Sequence, residues 1–360
     1  MPHIGLDIGS YSVKACQMKE KGGKYAVVNF GVADISEELT DGMDPAQKDI
    51  LVFDAIKRVF ADNNIKGTSL SLSVSGDQVI VRYIKLPFMT REELKSTIRI
   101  DGEQYIPFNI NECVLDFSML GEIVEEGQKK IEVLLVAVKE EVVNHYIALV
   151  KSLGFDITAI DVDCFALQNA YEAVYGVNPE EVVALLNIGA KYSNINIIEG
   201  GVTMYSRDIP IGGSLLTKDI ARELACTFPE AEKIKKEIGG IIIESEETKL
   251  TRIPSKDDKK IRIYGAMVPT INKLITEVRR AFDFYESSSK KKSITKIVLS
   301  GGSAKLKNID KFISERMKLT VELFDAFKEV EREDPRIESK LQETRLYAPV
   351  SLGLSLRRPK

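Results

Sequence analysis

Asp7-Ile8-Gly9-Ser10-Tyr11-Ser12 sets a carboxylate at the end of an apolar run, then a glycine, then hydroxyls, with Lys14 close by. Glycine lets backbone approach a ligand closely, amides and hydroxyls donate to phosphate oxygens, and a carboxylate can hold magnesium through water. A single D-x-G turn is more often an ordinary hairpin. Here it heads an ordered set. Asn187-Ile188-Gly189-Ala190 repeats the turn, and Gly212-Gly213-Ser214 precedes a helix whose first amides would be free for an anion. Glu232, Lys235 and Lys236 share one helical face by their spacing, and Gly301-Gly302-Ser303 follows an apolar run and opens a loop. Together these elements form an ordered set of turns able to hold phosphate, an order that glycines serving only turns would leave unexplained.

These residues need strands and helices to hold them. Ile4 to Ile8 predicts a buried strand with Val13 to Met18 as its hairpin partner. Asp44-Pro45 caps a helix carrying Ile50, Phe53, Ile56 and Phe60 on its apolar face, and the alternating Ser69 to Val74 predicts a strand with one buried face. From Asp77 the order is β-α-β-β-α: strand Val79 to Ile84, a helix opened by the capping box Thr90/Glu93, strands Cys113 to Leu120 and Ile131 to Val138, and helix Glu140 to Leu153. Strand Ile157 to Ile160 and a helix from Cys164 follow. The segment VVALLNIGAKYSNINIIEGG then echoes LDIGSYSVKACQMKEKGG, which predicts two lobes built on one unit with their glycine turns face to face. Further on, helices are predicted over Leu215 to Ala225, Pro229 to Ile238, Val268 to Ser287 and Lys307 to Met317, with Ile241 to Ile263 as a mixed outer segment. Lys296 to Ser300 reads as a strand, Lys328 to Arg345 as a solvated loop or short surface helix, and Tyr347 to Leu356 as a packed helix.

This gives an α/β chain with a first lobe over residues 1–76 and 161–180 plus a returning helix at 347–358, an inserted module at 77–160, and a second lobe at 181–346 with an outer subdomain near 215–265. Its 360 residues, 44% hydrophobic and 29% charged, suit a soluble chain of two lobes. A net charge of −4 gives no basic face for nucleic acid. Four scattered cysteines (Cys16, Cys113, Cys164, Cys226) and two histidines (His3, His145) argue against zinc or a disulfide scaffold and for free thiols in a reducing compartment. The motif-bearing strand begins too early for a signal peptide, and the apolar run Val133 to Val138 is too short to span a bilayer, so a cytoplasmic location is expected.

The five ordered elements resemble the actin, hexokinase and heat-shock chaperone ATPase superfamily. That resemblance implies ATP and Mg2+ as ligands. It casts Asp7 as the aspartate that organises magnesium through water, Gly9, Ser10, Ser12 and Lys14 as the first phosphate loop, and Asn187 with Gly189 as the second. Gly212 and Gly213 become the glycines near the terminal phosphate, AEKIKKE with Glu232, Lys235 and Lys236 the adenine and ribose helix, and Gly301-Gly302-Ser303 the adenosine loop. Asp163 stands where a water-orienting Glu or Gln is usual. Two departures imply weak or absent hydrolysis: Asn187 replaces an aspartate, and Asp163 is one methylene short.

The inserted module, IDVDCFAL, IPIGGSLLTKDIARELACTFPEAEKIKKE and the ending YAPVSLGLSLR resemble the branch of the cell-division protein FtsA and the type IV pilus assembly family PilM, with LSLR nearest the latter. The resemblance implies a cytoplasmic component at the inner face of the membrane. It would grip the N-terminal tail of a PilN-like inner-membrane protein in a first-lobe groove, with Tyr83, Leu86 and Phe88 as candidate contacts, beside other pilus platform or motor proteins. Membrane association would come through those partners alone. An FtsA-like filament former and a sugar or acetate kinase of the same superfamily remain open at this point.

Overall fold

The computed structural model of the chain describes residues 3–22, 24–35, 43–242, 259–288 and 292–357. The chain opens with β1 (His3–Ile8), β2 (Ser12–Lys21), β3 (Lys24–Asp34), α1 (Pro45–Asp62) and β4 (Ser69–Val74). Next come β5 (Val79–Pro87), α2 (Arg91–Asp101), β6 (Cys113–Glu125), β7 (Gln128–Lys139), α3 (Glu140–Ser152), β8 (Asp156–Val162) and α4 (Asp163–Tyr175). The second half holds β9 (Val182–Ile188), β10 (Ser193–Glu199), β11 (Val202–Ile209), α5 (Gly213–Leu224), α6 (Phe228–Ile238) and α7 (Lys259–Ser288). It closes with β12 (Lys296–Ser300), α8 (Ile309–Met317), β13 (Thr320–Leu323), β14 (Glu331–Arg332), α9 (Glu338–Thr344) and α10 (Pro349–Ser355).

Two sheets repeat one topology. In the first, ordered β14-β3-β2-β1-β4-β8, an antiparallel meander β3-β2-β1 continues through parallel β4 and β8. In the second, ordered β11-β10-β9-β12-β13, the meander β11-β10-β9 continues through parallel β12 and β13. The hairpin turns match as well: Gly9 N–H donates to Ser12 O at 3.1 Å and Gly189 N–H to Tyr192 O at 3.0 Å. The internal echo in the sequence is therefore a repeat of fold.

The sheets meet through a shared apolar core in which Phe30, Leu167, Leu185, Val298, Phe327 and Leu352 are buried together. Helices α4 and α10 cross at this junction. A Cβ on Gly353 would lie 1.7 Å from Ala166 O, and one on Gly5 would lie 2.1 Å from Ser351 O, so only glycine allows α10 to lie this close to α4 and β1. The alternation of small and large residues in SLGLSL follows from that fit.

Local capping follows the sequence rules. Asp44 accepts from the amides of Ala46 and Gln47, and Thr90/Glu93 and Thr227/Glu230 form full capping boxes on α2 and α6. Tertiary context overrides the sequence reading elsewhere. The buried stripe of α1 is Val52, Ala55, Ile56 and Val59, which leaves Ile50 61% exposed. β4 is central, so Ser71 and Ser73 are buried along with its leucines, Ser71 being held by His3 Nε2 at 2.9 Å. α7 begins at Lys259, ahead of Val268, and carries Pro269 inside it. Residues 328–345 include the short surface helix α9 but no solvated loop: β14 extends the first sheet beside β3, and Val330 and Leu341 enter the shared core. Most of the outer segment Ile241 to Ile263 lies outside the described residues.

The inserted unit is smaller than the sequence suggests. Its own sheet is β5-β7-β6, with α2 closing one face over Ile84, Leu86, Ile131, Val133 and Leu135. β8 hydrogen-bonds to β4, and α3 sends Val150 into the core of the first sheet. The boundary thus falls near Lys139 instead of residue 160, because hydrogen bonding and burial tie 140–162 to the first lobe.

All four cysteines are free thiols; Cys16 and Cys164 are buried, and Cys113 and Cys226 are partly so. Burial pushes the Cys16 thiol up to about 12, where it is inert. Among the described residues no helix is long and apolar enough to cross a membrane.

Candidate functional site

The two glycine turns face each other across a cavity of about 530 Å³ between the sheets, within the size range of small-ligand pockets. Asp7, Gly9, Ser10, Ser12 and Lys14 line it from the first sheet. Asn187, Gly189, Gly213, Glu232, Lys235, Lys236, Gly301, Gly302 and Ser303 line it from the second, and Asp163 lies at its floor. The loops touch where Lys191 N–H donates to Ser10 Oγ at 3.2 Å.

In the first turn, Lys14 Nζ lies 3.3 Å from Asp7 Oδ2 and donates to Ser12 O at 3.2 Å. A Cβ on Gly9 would lie 2.8 Å from that ammonium, so the glycine leaves room for the lysine head inside the turn. Asp163 receives a 2.6 Å hydrogen bond from Ser73 Oγ. Its burial, reinforced by Asp7, raises its pKa well above the carboxylate range despite that bond. Among the described residues no group of three or more His, Cys, Asp or Glu could by itself hold a metal ion.

Gly212 is not where the sequence placed it. It lies outside the cavity lining, packed so closely under the second turn that a Cβ would be 2.4 Å from Ala190 O. The first amides of α5 are also committed: Gly213 N–H donates to Gly189 O and Ser214 N–H to Ala190 O, each at 2.9 Å. This helix start pins the second turn in place instead of offering free donors to an anion.

Lys235 and Lys236 have separate roles although both lie on α6. Lys235 Nζ is 2.6 Å from Glu232 Oε2, 2.7 Å from Thr217 Oγ1 and 3.0 Å from Gly213 O, which joins α6 to α5. Burial holds its pKa below the usual lysine value even against Glu232. Lys236 instead crosses the cleft, donating to Tyr11 OH at 2.7 Å with its ammonium 4.7 Å from the Tyr11 ring centre. Burial opposes its charge, but Tyr11, Asp34 and Glu232 outweigh it and keep the pKa raised.

Sequence reasoning missed Tyr11 as a bridge, and also Asp208, Asn194 and Ser300, which line the cavity beside Asn187. Tyr11 sat within the motif and could have been found there. The other three are not among the motif residues themselves; strand pairing brings them together.

Twin sheets of this topology, closing on a cleft with one glycine turn from each, define the two-lobe actin-like ATPase fold. The chain belongs to the type IV pilus assembly protein PilM family, whose model matches residues 5–359. A solved PilM-PilN type IV pilus biogenesis complex is 26% identical, covers 99% of this chain and 98% of its own, and superposes with a TM-score of 0.82. The MreB 5 structure of Spiroplasma citri bound to AMPPNP shares the fold at 16% identity and a TM-score of 0.50, covering 89% of this chain and 91% of its own. Cell division protein FtsA of Staphylococcus epidermidis is 23% identical over 265 residues, which cover 68% of this chain and 56% of that protein. FtsA of Bacillus subtilis is 24% identical over 265 residues, or 66% of this chain and 58% of its own length. The matched region thus spans little more than half of these cell-division relatives.

Proposed function

We propose that the protein is an ATP-holding adaptor of type IV pilus assembly, working in the cytoplasm against the inner membrane through its partners. It would bind nucleotide in the interlobe cleft and the N-terminal tail of a PilN-like membrane protein on the first lobe. The observation that carries the nucleotide half is the meeting of two glycine turns, closed by matching hydrogen bonds, across one cavity of about 530 Å³. Gly9, Ser10 and Ser12 would receive phosphates, Asp7 would act on magnesium through water, and Gly301 to Ser303 would border the nucleoside. Bound magnesium would supply charge neutralisation at the phosphates. Asn187, which carries no charge, and the short reach of Asp163 favour holding nucleotide over turning it over.

The peptide half draws on the PilM-PilN complex and on the inserted sheet. Leu86 is removed from the candidate contacts, since it is buried under α2. Tyr83 lies on the opposite face, paired in register with Leu134, while neighbouring Val81 pairs with Val136. These side chains are only half-buried, and Val114 beside them is 44% exposed. Phe88 is 51% exposed at the end of β5. An extended tail could lay apolar side chains along such a face.

Titration calorimetry with ATP and Mg2+, and separately with a synthetic PilN-type N-terminal peptide, tests both halves. Asp7→Ala should weaken Mg-ATP binding by about tenfold, and unchanged affinity would remove Asp7 from the site. Vigorous steady-state hydrolysis would sink the adaptor reading. ATP-dependent sedimentation without peptide binding would favour an FtsA-like filament.

A further inference from the structure

Asp208, Asn194, Asn187 and Ser300 are successive register partners on β11, β10, β9 and β12. Directly paired residues project from the same face of a sheet, and all four line the cleft. A polar row therefore crosses four of the five strands of the second sheet at the level of its glycine turn.

Charge is unevenly spread around this row. Asp7 already faces Lys14 at 3.3 Å. Asp163 is engaged by Ser73 Oγ at 2.6 Å. Asn187 carries no charge at all. Asp208 accepts from Gly76 N–H at 2.6 Å through Oδ2 and from Asn194 Nδ2 at 2.8 Å through Oδ1. Each of its oxygens retains a lone pair, and among the described residues no lysine, arginine or histidine pairs with it. Beside it, Asn194 Oδ1 and Ser300 Oγ are buried without a hydrogen-bond partner, their residues being 8% and 1% exposed. Unpaired buried polar atoms are costly unless something fills their need. An unpaired carbonyl oxygen and a hydroxyl next to a carboxylate match the hydration shell of a small divalent cation, which keeps several waters and binds through one or two carboxylates plus phosphates.

We propose that Asp208 is the charged group through which the second lobe holds the hydrated divalent cation accompanying a bound triphosphate, with Asn194 and Ser300 receiving its water shell. The proposal rests on the nucleotide reading. It moves to β11 the charge that Asn187 lacks on β9, one strand beyond Asn194.

ATP affinity measured by calorimetry in EDTA and at rising Mg2+ concentrations separates the possibilities. Asp208→Asn keeps the size of the side chain and an acceptor for Gly76 N–H. Its affinity in EDTA should stay within about twofold of the parent, while the gain conferred by Mg2+ falls by about tenfold or more. Adding Asn187→Asp to that variant should restore most of the gain, because the carboxylate returns to the same row. A full Mg2+ gain in Asp208→Asn would overturn the proposal. So would an equal loss with and without Mg2+, which would make Asp208 only a latch on Gly76. If Asp208→Asn does not fold, as judged by circular dichroism, Asn194→Ala and Ser300→Ala decide: each should reduce the Mg2+ gain by about threefold, and an unchanged gain in both would overturn it. Absence of any ATP binding by the parent protein would instead sink the nucleotide reading beneath it.

Discussion

The two lobes use the same strand order and the same turn closure, yet they handle charge differently. In the first, the turn is chemically complete in itself: Asp7, Lys14 and the hydroxyls lie within one hairpin. In the second, the turn carries neutral Asn187, and its surroundings come from elsewhere, with α5 pinning it by two backbone bonds and charge arriving from Asp208 on β11. A duplicated scaffold can thus keep its geometry while its chemistry drifts to neighbouring strands, because strand pairing delivers several positions to the same spot.

The largest test of this contrast concerns the two cleft lysines. Lys235→Met removes all three contacts of a buried ammonium and leaves Glu232 poorly compensated, so urea denaturation should show a loss of about 3 kcal/mol. Lys14→Met breaks an ion pair buried to a similar degree but removes two contacts instead of three, so it should cost less, about 2 kcal/mol, while ATP affinity drops. Equal stability losses would erase the distinction between a structural and a ligand-facing lysine.

A smaller effect should separate the turns. A Cβ on Gly189 would lie 2.7 Å from the backbone carbonyl of Tyr192, which cannot easily move, so Gly189→Ala should lose about 2 kcal/mol in the same assay. At Gly9 the nearest atom is the mobile end of Lys14 at 2.8 Å and the backbone carbonyl of Ser12 lies further off, at 3.0 Å, so Gly9→Ala should lose less, about 1 kcal/mol, and also weaken nucleotide binding by displacing the ammonium. Greater destabilisation by Gly9→Ala would contradict this reading.

The last effect is one of pH. Asp163 has a raised folded-state pKa, so the folded protein holds a proton that the unfolded chain releases near the ordinary carboxylate pKa. Its contribution to stability is present at low pH and is lost as pH rises from about 4, the ordinary value, toward about 7, where the raised pKa lies. Asp163→Asn should flatten that part of the Tm profile, and an unaltered slope would show that Asp163 does not titrate there.

Sequence alone determined what depends on near neighbours. The hairpin turns at Gly9 and Gly189, the caps at Asp44, Thr90 and Thr227, and the repeat that makes two lobes are set by residues a few positions apart, so their chemistry is legible in order. Nearly all the proposed nucleotide residues could be named because each sits in such a local motif. Tertiary structure decided what depends on distant partners. β8 and α3 joined the first lobe through pairing with β4 and burial of Val150, and Gly212 became a packing position because Ala190 O lies where its side chain would be. Asp208 reached the cleft by its register opposite Asn194. Strand register and close packing are collective properties of residues far apart in the chain, and no local spacing encodes them.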